Sequence, residues 1–171
     1  MELSKVIKER FSVRQFAEKA IEDEKLNEIL EAGRIAPTAT NGQCQRVYVI
    51  KSEEALKKIR GITQCAFNAP VVLMVGYDEN DLWENPLEKG VFSGEQDASI
   101  VATHMMLKAW DLGIGSCWVG YFPPTKTAKD FDLPSSVKLV LLLPIGYPAD
   151  NATPNPRHNE RKPLNETVKY L

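Results

Sequence analysis

Apolar positions recur along the chain with two periods, and the breaks between them mark the elements. Ser4 to Glu9 predicts a short helix with Ser4 as N-cap, running into Arg10-Phe11-Ser12-Val13-Arg14. From Glu22 onward, Leu26, Ile29, Leu30 and Gly33 share one helical face. That helix stops by Ala36, because Pro37 pushes its predecessor out of helical geometry. Val47 to Ile50 predicts a strand, and Ser52 with Glu53 and Glu54 opens a helix that Gly61 closes. Val71 to Tyr77 is a strongly apolar strand beginning after Pro70, and the polar stretch 78–94, with its lone Trp83, predicts a mobile loop.

Glu95 to Leu112 predicts the central helix. Asp97, His104, Lys108 and Asp111 form a narrow polar stripe, and nearly everything else, including Ile100, Val101, Met105 and Trp110, is apolar. A helix greasy over most of its circumference is covered by more than one neighbour, and in a short chain one of these can be another subunit. Gly113-Ile114-Gly115 breaks it. Ser116 to Tyr121 then reads as a strand, a small helix runs from Pro123-Pro124 to Asp130, and Val137 to Leu143 is a buried strand ended by Pro144. Ala149 to Asn165 is polar and proline-bearing, and Val168-Lys169-Tyr170 is a candidate last strand. Helices and strands that do not alternate regularly argue for an α+β fold. A tail of that length without structure of its own suits an arm lying on a partner.

Composition narrows the classes. At 171 residues the chain is one domain, residues 1–171, with 149–171 as the arm. Lys and Arg number 21 against 23 Asp and Glu, so the basic footprint of a nucleic-acid binder is missing. No apolar run reaches membrane-spanning length, and charges at Lys5, Lys8, Glu9 and Arg10 interrupt any signal-like segment. Three cysteines without a CxxC pair (Cys44, Cys65 and Cys117) read as reduced thiols in a cytoplasmic protein.

Familiar nucleotide and hydrolase motifs are absent, and two histidines exclude a His-rich metal site. Cys117 has no nearby histidine to act as base and reads as a buried side chain. Four polar clusters remain, each beside a break in secondary structure. Arg10, Ser12 and Arg14 alternate with Phe11 and Val13, which in extended chain puts three polar groups on one face. Two guanidinium forks and a hydroxyl suit a phosphate; a solvated charge pair beside a buried Phe11 is the plainer alternative. Pro37-Thr38-Ala39-Thr40-Asn41-Gly42-Gln43 suits the polar edge of a heterocycle, or is simply a capped loop. Ser116-Cys117-Trp118-Val119-Gly120 can offer backbone N–H groups to a planar ligand, or be a buried strand. Arg157, Arg161 and Lys162 place three cations in the tail, as a ligand contact or a solubilising run.

In this order, together with Asp97-Ala98-Ser99, Pro144-Ile145-Gly146-Tyr147-Pro148 and Arg161-Lys162-Pro163-Leu164, the clusters resemble the FMN-dependent nitroreductase family over almost the whole chain. The resemblance implies an α+β sandwich, its mostly antiparallel central sheet flanked by helices, in an intertwined homodimer with FMN at the interface. Carried over, Arg10, Phe11, Ser12 and Arg14 line the cofactor site, with Arg10 and Arg161, beside Lys162, at the phosphate and Arg14 toward the pyrimidine edge. Asn41 and Gln43 come from the other subunit, Pro37 and Thr38 are further cofactor contacts, Val119 and Gly120 present backbone to the ring, and Gln64 is a further ring contact.

The implied activity is hydride transfer from NADH or NADPH to flavin N5 and on to a small electron-poor acceptor such as a nitroaromatic or quinone. It needs no catalytic side chain and no metal. Alternatives are a dedicated enone or dehalogenation reductase on the same fold, and a non-catalytic FMN binder or sensor. One departure stands out: Cys44-Gln45 replaces the Pro-Trp often found there in the family. Trp83 either caps the flavin or fills a subunit contact.

Overall fold

The structure, a computed structural model, describes residues 1–171. In chain order the elements are α1 (Leu3–Glu9), α2 (Asp23–Arg34), β1 (Gln45–Ile50), α3 (Glu53–Ile62), β2 (Val71–Asp78), α4 (Gly94–Asp111), β3 (Gly115–Ser116), α5 (Pro124–Asp130), β4 (Val137–Gly146) and α6 (Leu164–Thr167). The strands form one sheet in the order β1-β2-β4-β3, with every pair antiparallel.

Helices cover both faces, which is why β2 and residues 139–145 of β4 read as apolar runs. Val71, Leu73 and Val75 face Leu26 and Ile29 of α2 and Val101 and Met105 of α4. Val72 and Met74, pointing the other way, meet Leu56 and Ile59 of α3. Val75 pairs with Leu141 but Gly76 with Leu139, so Val140 is an extra residue in β4. This bulge lets Leu139 and Leu141 pack in opposite layers although both are odd-numbered. The α+β sandwich with an antiparallel sheet is as expected.

Several local expectations need correction. α1 begins at Leu3 with Glu2 as N-cap, leaving Ser4 inside the helix. Gly61 does not close α3, which runs to Ile62 and ends where Thr63 turns extended, its side chain accepting from the Cys65 N–H. Pro144 does not end β4. Its carbonyl accepts from the Cys117 N–H, so its missing N–H faces the β3 side and costs β4 no bond to β2. The same missing donor breaks the ladder opposite, so the strand expected over 116–121 shrinks to Gly115–Ser116 and a lone bridge between Val119 and Leu142. The loop after β2 is closed on itself: Asn85 N–H donates to Val91 O and Ser93 N–H to Trp83 O. No strand forms at 168–170; the tail makes two short turns, one at Pro156–Asn159 and the other α6, and leaves Leu164 and Tyr170 exposed.

No helix is long and apolar enough to cross a membrane, and Cys44, Cys65 and Cys117 are all free thiols.

Candidate functional site

The segment Arg10–Arg14 is extended and lies along the β3 edge. Ser12 bridges Ser116 in parallel, and the Val13 N–H donates to Ser116 O at 2.9 Å. Val13 is fully buried, and a Cβ on Gly115 would come within 2.5 Å of its Cγ2. Close packing of one apolar side chain on a bare backbone thus turns Ser12 and Arg14 outward. The Phe11 ring is taken up by packing, edge-on to Trp110 at 5.2 Å between centroids and to His158 at 6.3 Å.

Ser12 and Arg14 open onto a cavity of about 410 Å³ lined with Asn155, Arg157 and His158 and no apolar side chain. A second cavity of about 470 Å³ shares Ser12, Arg14 and Asn155 and adds Phe67. Arg14 therefore belongs to both. The segment 63–68 is pinned beside 117–121 by the Thr63 hydroxyl, which donates to Tyr121 O at 2.7 Å. Phe67 and Asn68 both take left-handed backbone angles there, a conformation that needs support from its surroundings. Burial pushes the Cys117 thiol up, partly offset by Arg14 and Ser12 facing it.

Val119, expected to present its backbone, is buried, and both its N–H and its C=O are bonded to Leu142. Alternation sends the next residue the other way. The Gly120 N–H has no acceptor in the chain and is exposed, as is Trp118. Gln64 is exposed at the same end of the sheet. Arg10, half-buried as the C-cap of α1, lines neither cavity. Nor do Arg161 and Lys162, which are exposed further along the tail. Asn155 and His158 were missed as site residues, and Arg157 was named with Arg161 and Lys162 as a tail cluster, a ligand contact or a solubilising run, but was not placed among the cofactor-binding residues. The signal was Asn155-Pro156, a capping side chain followed by proline at N1: Asn155 Oδ1 accepts from the Arg157 N–H at 3.0 Å and starts the turn.

Pro37, Thr38, Asn41 and Gln43 lie elsewhere. Their loop leads into β1, and Cys44 O accepts from the Asp78 N–H at the far end of β2. The loop is folded on itself: Thr38 Oγ1 accepts from the Gln43 N–H at 3.1 Å, with Thr40, Asn41 and Gln43 all at positive φ. Asn41 and Gln43 are exposed. Along β4, the register from Ile145, opposite Ser116, to Lys138, opposite Tyr77, covers about 23 Å, and the three strand spacings across add about 14 Å. α4 gives the same measure. Its N-terminal turn touches this loop through Asp97, its C-terminal end leads to Gly115, and 18 residues span about 27 Å. Within one chain the two halves of the expected site stand at opposite corners.

The sequence profile of the nitroreductase family matches residues 7–68 and 60–147. The crystal structure of a nitroreductase family protein from Clostridium difficile 630 is 36% identical and superimposes with a TM-score of 0.91, over 99% of this chain and 98% of that one. A protein from Desulfovibrio desulfuricans described as a nitroreductase, solved in complex with FMN, is 26% identical, with a TM-score of 0.82 over 100% and 97% of the two chains. An FMN reductase [NAD(P)H] of Bacillus subtilis is 30% identical over 173 aligned residues, 91% of this chain and 70% of its own. Sequence profile, sheet order and helix placement agree: the chain belongs to the nitroreductase family.

Proposed function

We propose that the chain is an FMN-dependent oxidoreductase, active as a homodimer in the cytoplasm, that takes hydride from NAD(P)H and passes it to nitroaromatic, quinone or similar acceptors. The observation that carries this reading is the cavity of Ser12, Arg14, Asn155, Arg157 and His158. A socket lined only by polar and cationic groups suits a phosphate, and the adjoining cavity, which shares Ser12, Arg14 and Asn155 and adds Phe67, offers a place for a flat ring. The residues present fit a phosphorylated flavin. Ser12, Arg157 and His158 would hold the phosphate, and Arg14, which reaches both cavities, the pyrimidine edge. Bound there, the flavin would supply two-electron chemistry between NAD(P)H and acceptor. A positive Arg14 beside that edge favours whichever state carries more negative charge and so raises electron affinity. Donor and acceptor use one open face in turn, which gives ping-pong turnover and requires no second nucleotide motif.

The corner-to-corner separation supports a dimer. Asn41 and Gln43 reach a ligand at Ser12 and Arg14 only from a second copy, and the tail beyond His158, exposed throughout, is free to serve as the arm between copies. Absorbance of the purified protein before and after anaerobic NAD(P)H tests the reading: a flavin spectrum that bleaches is expected. A colourless protein that ignores added FMN overturns it. Steady-state comparison of nitro compounds, quinones and enones identifies the acceptor class.

A further inference from the structure

Asp97 was expected on the polar stripe of α4, yet it is 3% exposed. Three donors from two segments converge on its carboxylate. The Ala39 N–H donates to Oδ1 at 3.0 Å, the Ser93 hydroxyl to Oδ2 at 2.8 Å, and the Cys44 thiol to Oδ2 at 3.4 Å. Ala39 and Cys44 bracket the stretch Thr40–Gln43, in which three non-glycine residues adopt positive φ. Such a conformation persists only where the surroundings over-determine it. Here the surroundings are one carboxylate gripping both ends of the turn, together with Thr38, whose hydroxyl accepts from the Gln43 N–H and whose carbonyl accepts from the Asn41 N–H. Ser93 ties the same oxygen to the base of the loop that follows β2, through its N–H to Trp83 O. Burial, and after it the facing carboxylate, push the Cys44 thiol up to about 11, so it remains a donor throughout the neutral range.

We propose that Asp97 is a positioning residue: it holds the Thr40–Gln43 turn in its left-handed shape and thereby sets where Asn41 and Gln43 meet the flavin bound by the partner subunit. The proposal rests on the FMN reading. Asp97 touches neither flavin nor substrate. A buried carboxylate at the first turns of a helix is favoured by the helix dipole and satisfied by its donors, so the arrangement is stable without being part of the chemistry. Cys44, standing where the family often has proline, contributes one of the three donors.

The test uses the full-length protein and Asp97→Asn, which keeps shape and one acceptor but replaces Oδ2 by a donor facing Ser93 and Cys44. Amide exchange at Ala39, Asn41 and Gln43 is expected to speed up at least about tenfold, and FMN to bind about tenfold more weakly with a shifted midpoint potential. Ala102→Gly, in the buried middle of the same helix, lowers stability without touching the loop and is expected to leave FMN affinity and potential unchanged. Should Asp97→Asn fail to fold, Ser93→Ala and Cys44→Ala each remove one donor and are expected to move the same readouts by smaller steps. Unchanged exchange at Ala39, or a loss of FMN affinity no greater than in Ala102→Gly, overturns the positioning role. Wild-type protein that binds no FMN overturns the flavin reading together with this one; wild-type protein that binds it beside an unaffected Asp97→Asn overturns this one alone.

Discussion

Arg157 sits on a single turn of helix whose start Asn155 fixes, and its charge faces Arg14 across an otherwise polar socket. Two guanidinium groups gathered beside a histidine, without a carboxylate among the lining residues, repel one another unless an anion joins them. Arg157→Ala is therefore expected to weaken FMN by about 1.5–3 kcal/mol, the worth of a hydrogen bond to a charged group. Riboflavin, which lacks the phosphate, is expected to bind both proteins alike, and fluorescence titration with the two flavins checks the pair. Gly115 matters for a steric reason. A methyl group there meets Val13 Cγ2 at 2.5 Å and Cβ at 2.9 Å. Gly115→Ala is expected to destabilise by about 1–3 kcal/mol. Adding Val13→Ala is expected to recover part of that loss, so the two changes are not additive in a denaturation series.

At the level of elements, the start of α2 is locked to the end of the sheet by one phenol. Tyr147 Oη donates to Glu22 Oε2 at 2.6 Å and accepts from Lys25 Nζ at 2.6 Å, while Lys19 Nζ lies 3.9 Å above the ring. The tyrosine hydroxyl, foremost among several donors and cations, holds the Glu22 carboxyl at about 2. A carboxyl lowered in the folded state adds stability above its ordinary value of 4.5 and loses it as the pH falls toward 2. Tyr147→Phe is expected to raise the Glu22 midpoint toward 4.5 in an NMR titration and to flatten acid unfolding across that window. What sequence reveals of such elements depends on range. The Ser52 cap and the stop before Pro37 are settled within four residues and were legible. Pro144 was misread because its effect depends on which neighbour its missing N–H faces, a matter of pairing with Cys117 rather than of composition. Asp97 was misread for the same reason. Its helical position matched His104 and Lys108, and only the fold brings Ala39 and Cys44, 58 and 53 residues away, onto its oxygens. The clasp of Arg10–Arg14 was legible as alternation; its partners Arg157 and His158 required the path of the tail.

For the whole molecule, α4 is the ruler that separates the loop of Asn41 and Gln43 from Ser12 and Arg14, since Asp97 marks one end and Gly115 follows the other. A two-fold axis that laid one copy's Asn41 and Gln43 against the other's Ser12 and Arg14 would repeat the contact by symmetry, giving two equal composite sites. This arrangement makes a prediction that no single-chain site can imitate. Arg157→Ala damages the clasp, Asn41→Ala damages the loop, and each homodimer then carries two faulty sites. A mixed dimer pairs the faulty clasp with the faulty loop in one site and leaves the other wholly wild-type. After unfolding and refolding an equal mixture, half of the dimers are mixed, so roughly a quarter of all sites are expected to regain wild-type FMN affinity. Titration with FMN measures that fraction directly, and NAD(P)H-driven acceptor reduction should recover in the same proportion. A mixture that binds no better than the average of its parents would place both half-sites on one chain, and the distance along α4 would then have no bearing on flavin binding.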